Sequence, residues 1–376
     1  MSDEIQNNDS ETPDDFIDIG DMPMVPVELE EMGIEDSFDY DTAFKFAFVG
    51  VGQGGGRIAE AFYTLGYRSV CVVNTAVADL DMVKLPAKNK LDLGGGGAGK
   101  DPAIAAAAAS DKDEVIYDLF KTCLGDNIDY AIVCLGAGGG TGAGAWPKIY
   151  EVLQRYLGET KRPVRVGVIA ALPKDGEGNA PAQNTLNTFE NLIKTKPSPF
   201  IVVDNERISQ IFRKLPPAKF WKTCNGQITS LFHLFNRIAA QNSPHTSFDR
   251  QDLSKLLDSG IVTFGATPIT KFDTAADVSR AIRQQLKGNI LASTDLSTGK
   301  MAGCVFICGK AAYEEMDSDI LEHGFESLNR MLANGSTVFR GVYPGNNADL
   351  RAYTMVGNLD PPTARLAELA KIAGVD

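Results

Sequence analysis

The chain of 376 residues is 44% apolar and 23% charged, the balance of an ordinary globular protein, which excludes disorder throughout. No run approaches the roughly 20 apolar residues that span a bilayer, and the start Met1-Ser2-Asp3-Glu4 lacks the basic and apolar regions of a secretion signal, so a cytoplasmic location with no membrane partner is expected. The net charge of −13 is uneven: the first 40 residues hold 14 acidic side chains and no Lys or Arg, leaving 35 acidic against 36 basic residues in the remainder.

Segment 1–41, with Pro13, Pro23 and Pro26 and no helical period, reads as an acidic disordered tail that solubilises the chain or binds a cargo adaptor. The nearly neutral remainder offers no bulk surface for a polyanion, so direct nucleic-acid binding is not expected. Six scattered cysteines without zinc-like spacing read as buried reduced thiols, and no protein metal site is expected.

Order is expected from about Phe44. An apolar run at 44–49 has strand composition and leads into the glycine loop 50–56, and a helix is expected over 57–67, where Ile58, Ala61, Phe62 and Leu65 share a face. Further strands are expected at 69–73, 130–135, 164–172 and 200–203, separated mostly by helical patterns, which argues for a parallel sheet covered on both faces with its ligand beyond the carboxyl ends of the strands. A long helix over 219–241 carries Ile228, Leu231, Phe232, Phe235 and Ile238. Beyond it, strands are expected at 261–266, 303–307, 337–343 and 351–356 and helices at 275–288 and 311–332, followed by a short amphipathic helix with Leu366, Leu369 and Ile372. The fold class is α/β: a parallel-sheet nucleotide-binding domain (42–218), a long central helix (219–242), a second, smaller α+β region (243–360) and a C-terminal helix (361–376).

Sixteen of the 37 glycines fall in three loops, at 50–56, 94–99 and 136–144. Glycine lets backbone amides approach a ligand, and amides at a helix start bind phosphate oxygens, so three such loops point to one polyphosphate. The first loop matches a dinucleotide fingerprint through Gly50, Gly52 and Gly55, which keeps a nicotinamide-dependent oxidoreductase open, but the second strand ends in Asn74-Thr75 instead of a ribose-binding acid. The second, ending Gly99-Lys100, is followed by Asp101-Pro102 where a P-loop needs Ser or Thr, and the preceding Lys90-Leu91-Asp92-Leu93 is a poor buried strand. The third follows an apolar strand and precedes a helix in which Pro147 is expected in the first turn.

The run Gly138-Gly139-Gly140-Thr141-Gly142-Ala143-Gly144 resembles the signature loop of the tubulin/FtsZ superfamily of filament-forming GTPases, with Ala143 where Ser or Thr is usual. The resemblance extends over about 44–258 and implies a bound GTP or GDP with Mg²⁺ held chiefly by phosphate oxygens and water. It places Gly52, Gln53, Gly54 and Arg57 at the first nucleotide loop, Asn74 and Ala76 after the second strand, Gly97, Ala98 and Gly99 in the γ-phosphate loop, and Gly136, Gly138, Gly139, Gly140, Thr141 and Gly142 at the phosphates. It further implies Glu177 at the ribose, Asn205 at guanine or ribose, and Trp221 with Asn225 at the base. Taken alone, Asn205 reads as a helix cap, Trp221 as a packing residue and Asn225 as a solvated one; a shift of one residue nominates Phe220 and Cys224 instead.

Phe248-Asp249-Arg250-Gln251-Asp252 resembles the family's catalytic loop, implying that Asp249 and Asp252 orient water in a neighbouring subunit's site; alone, the two acids read as an N-capped helix with an acidic first turn. The implied partner is a further copy of the chain in a head-to-tail filament. The end of the chain, lacking a long linker and terminal peptide, is taken to favour a plasmid- or phage-type tubulin that positions DNA or phage particles, in a host's cytoplasm if phage-encoded, over a division protein. A protein that keeps the nucleotide without hydrolysing it is the other reading.

Overall fold

The stretch Phe46–Val51 is apolar without interruption and buried at every residue, so as a strand it belongs inside a sheet covered on both faces. The computed structural model describes residues 42–160, 163–345 and 350–375 and places the strand there. The acidic segment 1–41, read above as a tail, lies outside the described residues.

The first half runs β1 (Phe46–Val51), α1 (Gly52–Thr64), β2 (Val70–Asn74), α2 (Val77–Met82), β3 (Lys90–Asp92), α3 (Pro102–Asp111) and α4 (Asp113–Cys123). It continues with β4 (Tyr130–Gly136), α5 (Gly140–Gly158), β5 (Arg165–Leu172), α6 (Asn179–Thr195), β6 (Phe200–Asp204) and α7 (Asn205–Ile211). The long helix α8 (Pro217–Ile238) leads to α9 (Arg250–Leu257), β7 (Ile261–Ile269), α10 (Ala275–Gly288) and β8 (Met301–Gly309). The chain closes with α11 (Lys310–Glu315), α12 (Ser318–Met331), β9 (Thr337–Gly345), β10 (Leu350–Leu359) and α13 (Thr363–Ala373).

The described residues form one sheet of ten strands in the order β3-β2-β1-β4-β5-β6-β7-β10-β8-β9. Strands from β3 across to β7 are parallel to their neighbours, as alternation of strand and helix implies. Past β7 the rule changes, because β10 enters antiparallel between β7 and β8. Successive residues of β1 serve opposite cores: Ala47, Val49 and Val51 face one, Phe46 and Phe48 the other. In the second core Phe48 stacks on Phe62 at 3.6 Å between centroids, and Phe232 of α8 meets both edge-on.

Three expectations are corrected. Helix α1 begins at Gly52, five residues before Arg57, because its glycines are the first turn of the helix and not a loop before it. A Cβ on Gly55 would lie 2.0 Å from the Cys134 carbonyl oxygen of β4, so this turn packs at a distance only glycine allows. The helix expected over 311–332 breaks into α11 and α12, with Asp317 accepting from the Asp319 amide to cap the second. Lys90–Asp92, judged a poor buried strand, is a strand after all, half-buried at the edge and paired to β2.

α8 spans 22 residues, about 33 Å at 1.5 Å per residue. Near its far end Asn236 accepts from the Phe44 amide and donates to the Phe44 carbonyl, both at 2.9 Å, so the helix holds the entry to β1. His233, one turn earlier, lies 2.9 Å from the Tyr67 hydroxyl. Burial first, and then the Arg237 charge, push its pKa down to about 4 from 6.5.

Two measurements follow from this packing. Gly144 of α5 sits where a Cβ would come 2.0 Å from the Pro102 carbonyl oxygen of α3, so Gly144→Ala is expected to cost about 1–3 kcal/mol in urea unfolding. Gly158→Ala, with nothing within 4 Å, is expected to gain about 0.5–1 kcal/mol; equal effects would refute the close crossing. Because His233 is held neutral, the folded state takes up its proton later than the unfolded one. Stability is therefore full above the unfolded value and declines as pH falls from 6.5 toward 4, by about 2 kcal/mol at pH 5. In His233→Gln the unfolding midpoint should be flatter across that window.

Candidate functional site

Parallel strands deliver their carboxyl ends to one edge of the sheet, and there β1, β2, β4, β5 and β6 open on a cleft of about 400 Å³. Every residue placed in the nucleotide set from the sequence lines this cleft, from Gly52 and Gln53 to Trp221 and Asn225. The alternative register does not: Cys224 is fully buried, and Phe220 packs against the core.

At one end of the cleft lie the starts of α1 and α5. Neither helix has a side-chain cap on its first turn, so its leading amides are left for a ligand. The two starts touch: a Cβ on Gly52, where φ is +71°, would lie 2.9 Å from the Gly142 nitrogen, and one on Gly142 2.3 Å from the Gly136 carbonyl oxygen. Pro147 is not in the first turn of α5, as expected, but at its eighth position, because the helix already starts at Gly140 within the glycine run. The loop 97–101 closes over this end, with the Gly97 amide donating to the Thr75 carbonyl at 2.8 Å and Ala98 and Lys100 packed against Gly140. Asp101 turns its carboxylate to the Ala103 amide as the cap of α3 and does not line the cleft.

The polar floor is built on buried Asn74, Thr75 and Thr141. The Thr141 hydroxyl meets that of Thr75 at 2.7 Å and donates to Asn74 at 3.3 Å. Asn74 and Gln53 in turn both donate to Asp79, at 3.3 and 2.8 Å. Thr75, Asp79 and Lys100 are lining residues that the sequence reading missed. Thr75 had a signal, sitting between two chosen residues. Asp79 had none, since its place follows from the turn of α2 back over β2. Lys100 ends a glycine run that fails as a P-loop at Asp101, so nothing local assigns it to a phosphate.

The opposite end suits a flat heteroaromatic group. Trp221 and Asn225 lie one turn apart on α8, and Asn225 is buried. The Arg57 guanidinium lies 5.6 Å from the Trp221 ring centroid and the Lys174 ammonium 5.7 Å. Between the ends, Glu177 accepts from the Lys174 amide at 2.9 Å, and Asn205 opens α7 behind its cap, Asp204. Burial raises the Asp204 carboxyl above its usual range against the opposing pull of Arg365.

Asp249 and Asp252 are nowhere near the cleft. Asp249 caps α9, accepting from the Gln251 and Asp252 amides at 2.7 and 3.0 Å, while Asp252 accepts from the Asp249 amide at 3.2 Å. The next residue, Arg250, reaches Asp129 and the Ala43 carbonyl, which precede β4 and β1. The pair therefore sits at the amino ends of the strands. The six residues of β1 separate it from the cleft by about 20 Å at 3.3 Å per residue. Asp249 is exposed, and partial burial holds Asp252 above its ordinary pKa.

The model of the Tubulin/FtsZ family, GTPase domain, matches residues 45–213. The tubulin-like protein CetZ of Pyrococcus abyssi is 27% identical over 309 residues, covering 79% of this chain and 80% of the relative. Among solved structures, the GTPγS-form protofilament of Bacillus thuringiensis serovar israelensis TubZ superposes with a TM-score of 0.79 at 20% identity, over 93% of this chain and 96% of TubZ. The type III plasmid segregation TubZ gives 0.75 at 20% identity, over 92% and 96%.

Asp249→Ala removes the cap of α9 and is expected to lower stability by about 1 kcal/mol, with Asp249→Asn largely neutral. Urea unfolding curves that coincide for wild type and Asp249→Ala would refute the capping role.

Proposed function

Because the chain belongs to the tubulin/FtsZ superfamily, whose members are GTPases, we propose that it binds GTP in the cleft and hydrolyses it when a second copy stacks head-to-tail on that edge. The separation of the two predicted half-sites carries this reading: the cleft lies at one edge of the sheet and the acid pair at the other, too far apart to meet within one molecule. Stacking one copy's amino edge on the next copy's carboxyl edge brings them together. Such a contact is heterologous and does not close on itself, so it propagates as a filament. The TubZ likeness, to a GTPγS-form protofilament, supports the same arrangement.

The amides opening α1 and α5 would receive the phosphates, Trp221 would stack on guanine, and Asn225 would bond its edge. Glu177 and Asn205 would hold the ribose side. Thr141, tied to Thr75 and Asn74, would offer its hydroxyl oxygen to the phosphate side of the cleft. From the neighbouring copy, Asp249 and Asp252 would orient a water for attack on the γ-phosphorus, releasing phosphate and GDP, an assistance typically worth about 10²- to 10⁴-fold. Mg²⁺ carried by the triphosphate would offset its charge and be held chiefly by phosphate oxygens and water.

Arg57 and Lys100 are the cations among the described lining residues. Arg57 is engaged at Trp221, whereas Lys100 has left-handed backbone, φ 66°, in the loop against the start of α5. We assign it to the terminal phosphate. No described helix is long and apolar enough to cross a membrane. As biological role we propose filament-based positioning of DNA or phage particles, supported by the likeness to a plasmid-segregating TubZ.

Phosphate release per molecule should rise with protein concentration and fall by about 10²-fold in Asp249→Ala and Asp252→Ala while nucleotide binding persists. Turnover strictly proportional to concentration, or unchanged in both variants, would sink the shared site. Lys100→Ala should weaken GTP about tenfold more than GDP; equal weakening would remove Lys100 from the terminal phosphate.

A further inference from the structure

The loops that carry Pro173, Glu177 and Asn205 to the cleft converge on one side chain that does not line it. Arg365, near the start of α13, is 5% exposed. Its Nη1 lies 2.7 Å from Asp175 Oδ1 and 2.9 Å from Glu368 Oε2, and its Nε lies 3.3 Å from Asp204 Oδ1. Its Nη2 donates to the Pro173 carbonyl at 3.0 Å. One planar guanidinium thus spans the segment after β5, which ends in Glu177, and the turn after β6, which starts with Asn205. The far end of α13 holds the start of α6 just beyond that segment, for Asn179 donates to the Ala373 carbonyl at 2.7 Å.

We propose that Arg365 is a positioning residue and that α13 is a clamp on the nucleoside half of the cleft, so that nucleotide affinity is coupled to the docking of this C-terminal helix. The inference rests on the nucleotide reading of the cleft. Asp204 is the buried partner, its side chain 8% exposed, while Asp175 and Glu368 are 51% and 61% exposed. Asp204 also caps α7. Its charge needs the guanidinium, and the cap it makes sets where Asn205 points. Lysine could neutralise Asp204, but its single ammonium cannot also reach the Pro173 carbonyl and Asp175 in fixed geometry. The hydrogen bonds and ion pairs of Arg365 go to Pro173, Asp175, Asp204 and Glu368 and not to the starts of α1 and α5, so the clamp acts chiefly on the ribose and base contacts.

The test is calorimetric titration of the full chain with GDP, which avoids turnover, and with pyrophosphate, which engages the phosphate end only. Arg365→Lys is expected to weaken GDP about tenfold, and Asp175→Asn by a few-fold, with pyrophosphate affinity unchanged. Glu368→Gln, which touches no loop of the cleft, should leave both affinities as they are. Equal weakening of GDP and pyrophosphate would reduce Arg365 to a general structural role and overturn the clamp; so would GDP affinity unchanged in both Arg365→Lys and Asp175→Asn. Should Arg365→Lys fail to fold, Asp175→Asn, altering a half-exposed acid, carries the test alone. Wild-type protein that binds pyrophosphate but not GDP would overturn the nucleotide reading itself, and the clamp with it.

Discussion

A parallel sheet has two unlike edges, and that asymmetry organises this molecule. All strands from β3 to β7 end on one side, where the chain must turn into helices whose leading amides face outward together. Five of these turns share one cleft. The other edge collects strand starts and the amino end of α9, where Arg250 ties the acid pair to Asp129 and Ala43. No rearrangement of side chains moves a group from one edge to the other, because the strands between them are buried on both faces. A reaction needing groups from both edges needs two molecules.

Within the cleft, the glycines divide into two kinds. Gly55 and Gly144 are small because a carbonyl of the neighbouring strand or helix occupies the place of their Cβ; Gly55 lets α1 approach β4, and Gly144 lets α5 approach α3. Gly52, Gly139 and Gly140 stand where the backbone itself faces the cleft, Gly52 and Gly140 being held small by Gly142 and Ala98 as well. Both kinds are required at once, since the uncapped helix starts converge only if the helices behind them pack this closely.

The remaining contacts make the cleft rigid from two directions. α8 runs from Trp221 and Asn225 at the mouth to Asn236 at the entry of β1, linking the two edges through one continuous element. α13 fastens the segment after β5 and the turn after β6 through Arg365. Asp204 is costly where it lies, with burial raising its pKa, and it persists because a guanidinium and the first amides of α7 share it.

Local chemistry was enough to read the strands, since an apolar run such as Phe46–Val51 has no other stable place, and enough to group the three glycine loops around one ligand; Asn74, Trp221 and Asn225 joined that set only through the resemblance to the tubulin/FtsZ superfamily, since alone Trp221 reads as packing and Asn225 as solvated. Helix starts were less legible: the glycines that begin α1 and α5 have the poorest helical propensity and conceal the first turn, which displaced both Arg57 and Pro147 from their expected positions. Lys100 and Asp79 acquire meaning only through the fold, because their neighbours come from other segments: Gly140 for the one, Gln53 for the other. The sequence by itself determined which residue types could meet a polyphosphate and, through its resemblance to the superfamily, nominated the acids expected to polarise water. Only the tertiary structure decided that the two sets lie at opposite edges of a single sheet, because that separation depends on strand direction and order, which non-local pairing sets and no window of sequence contains.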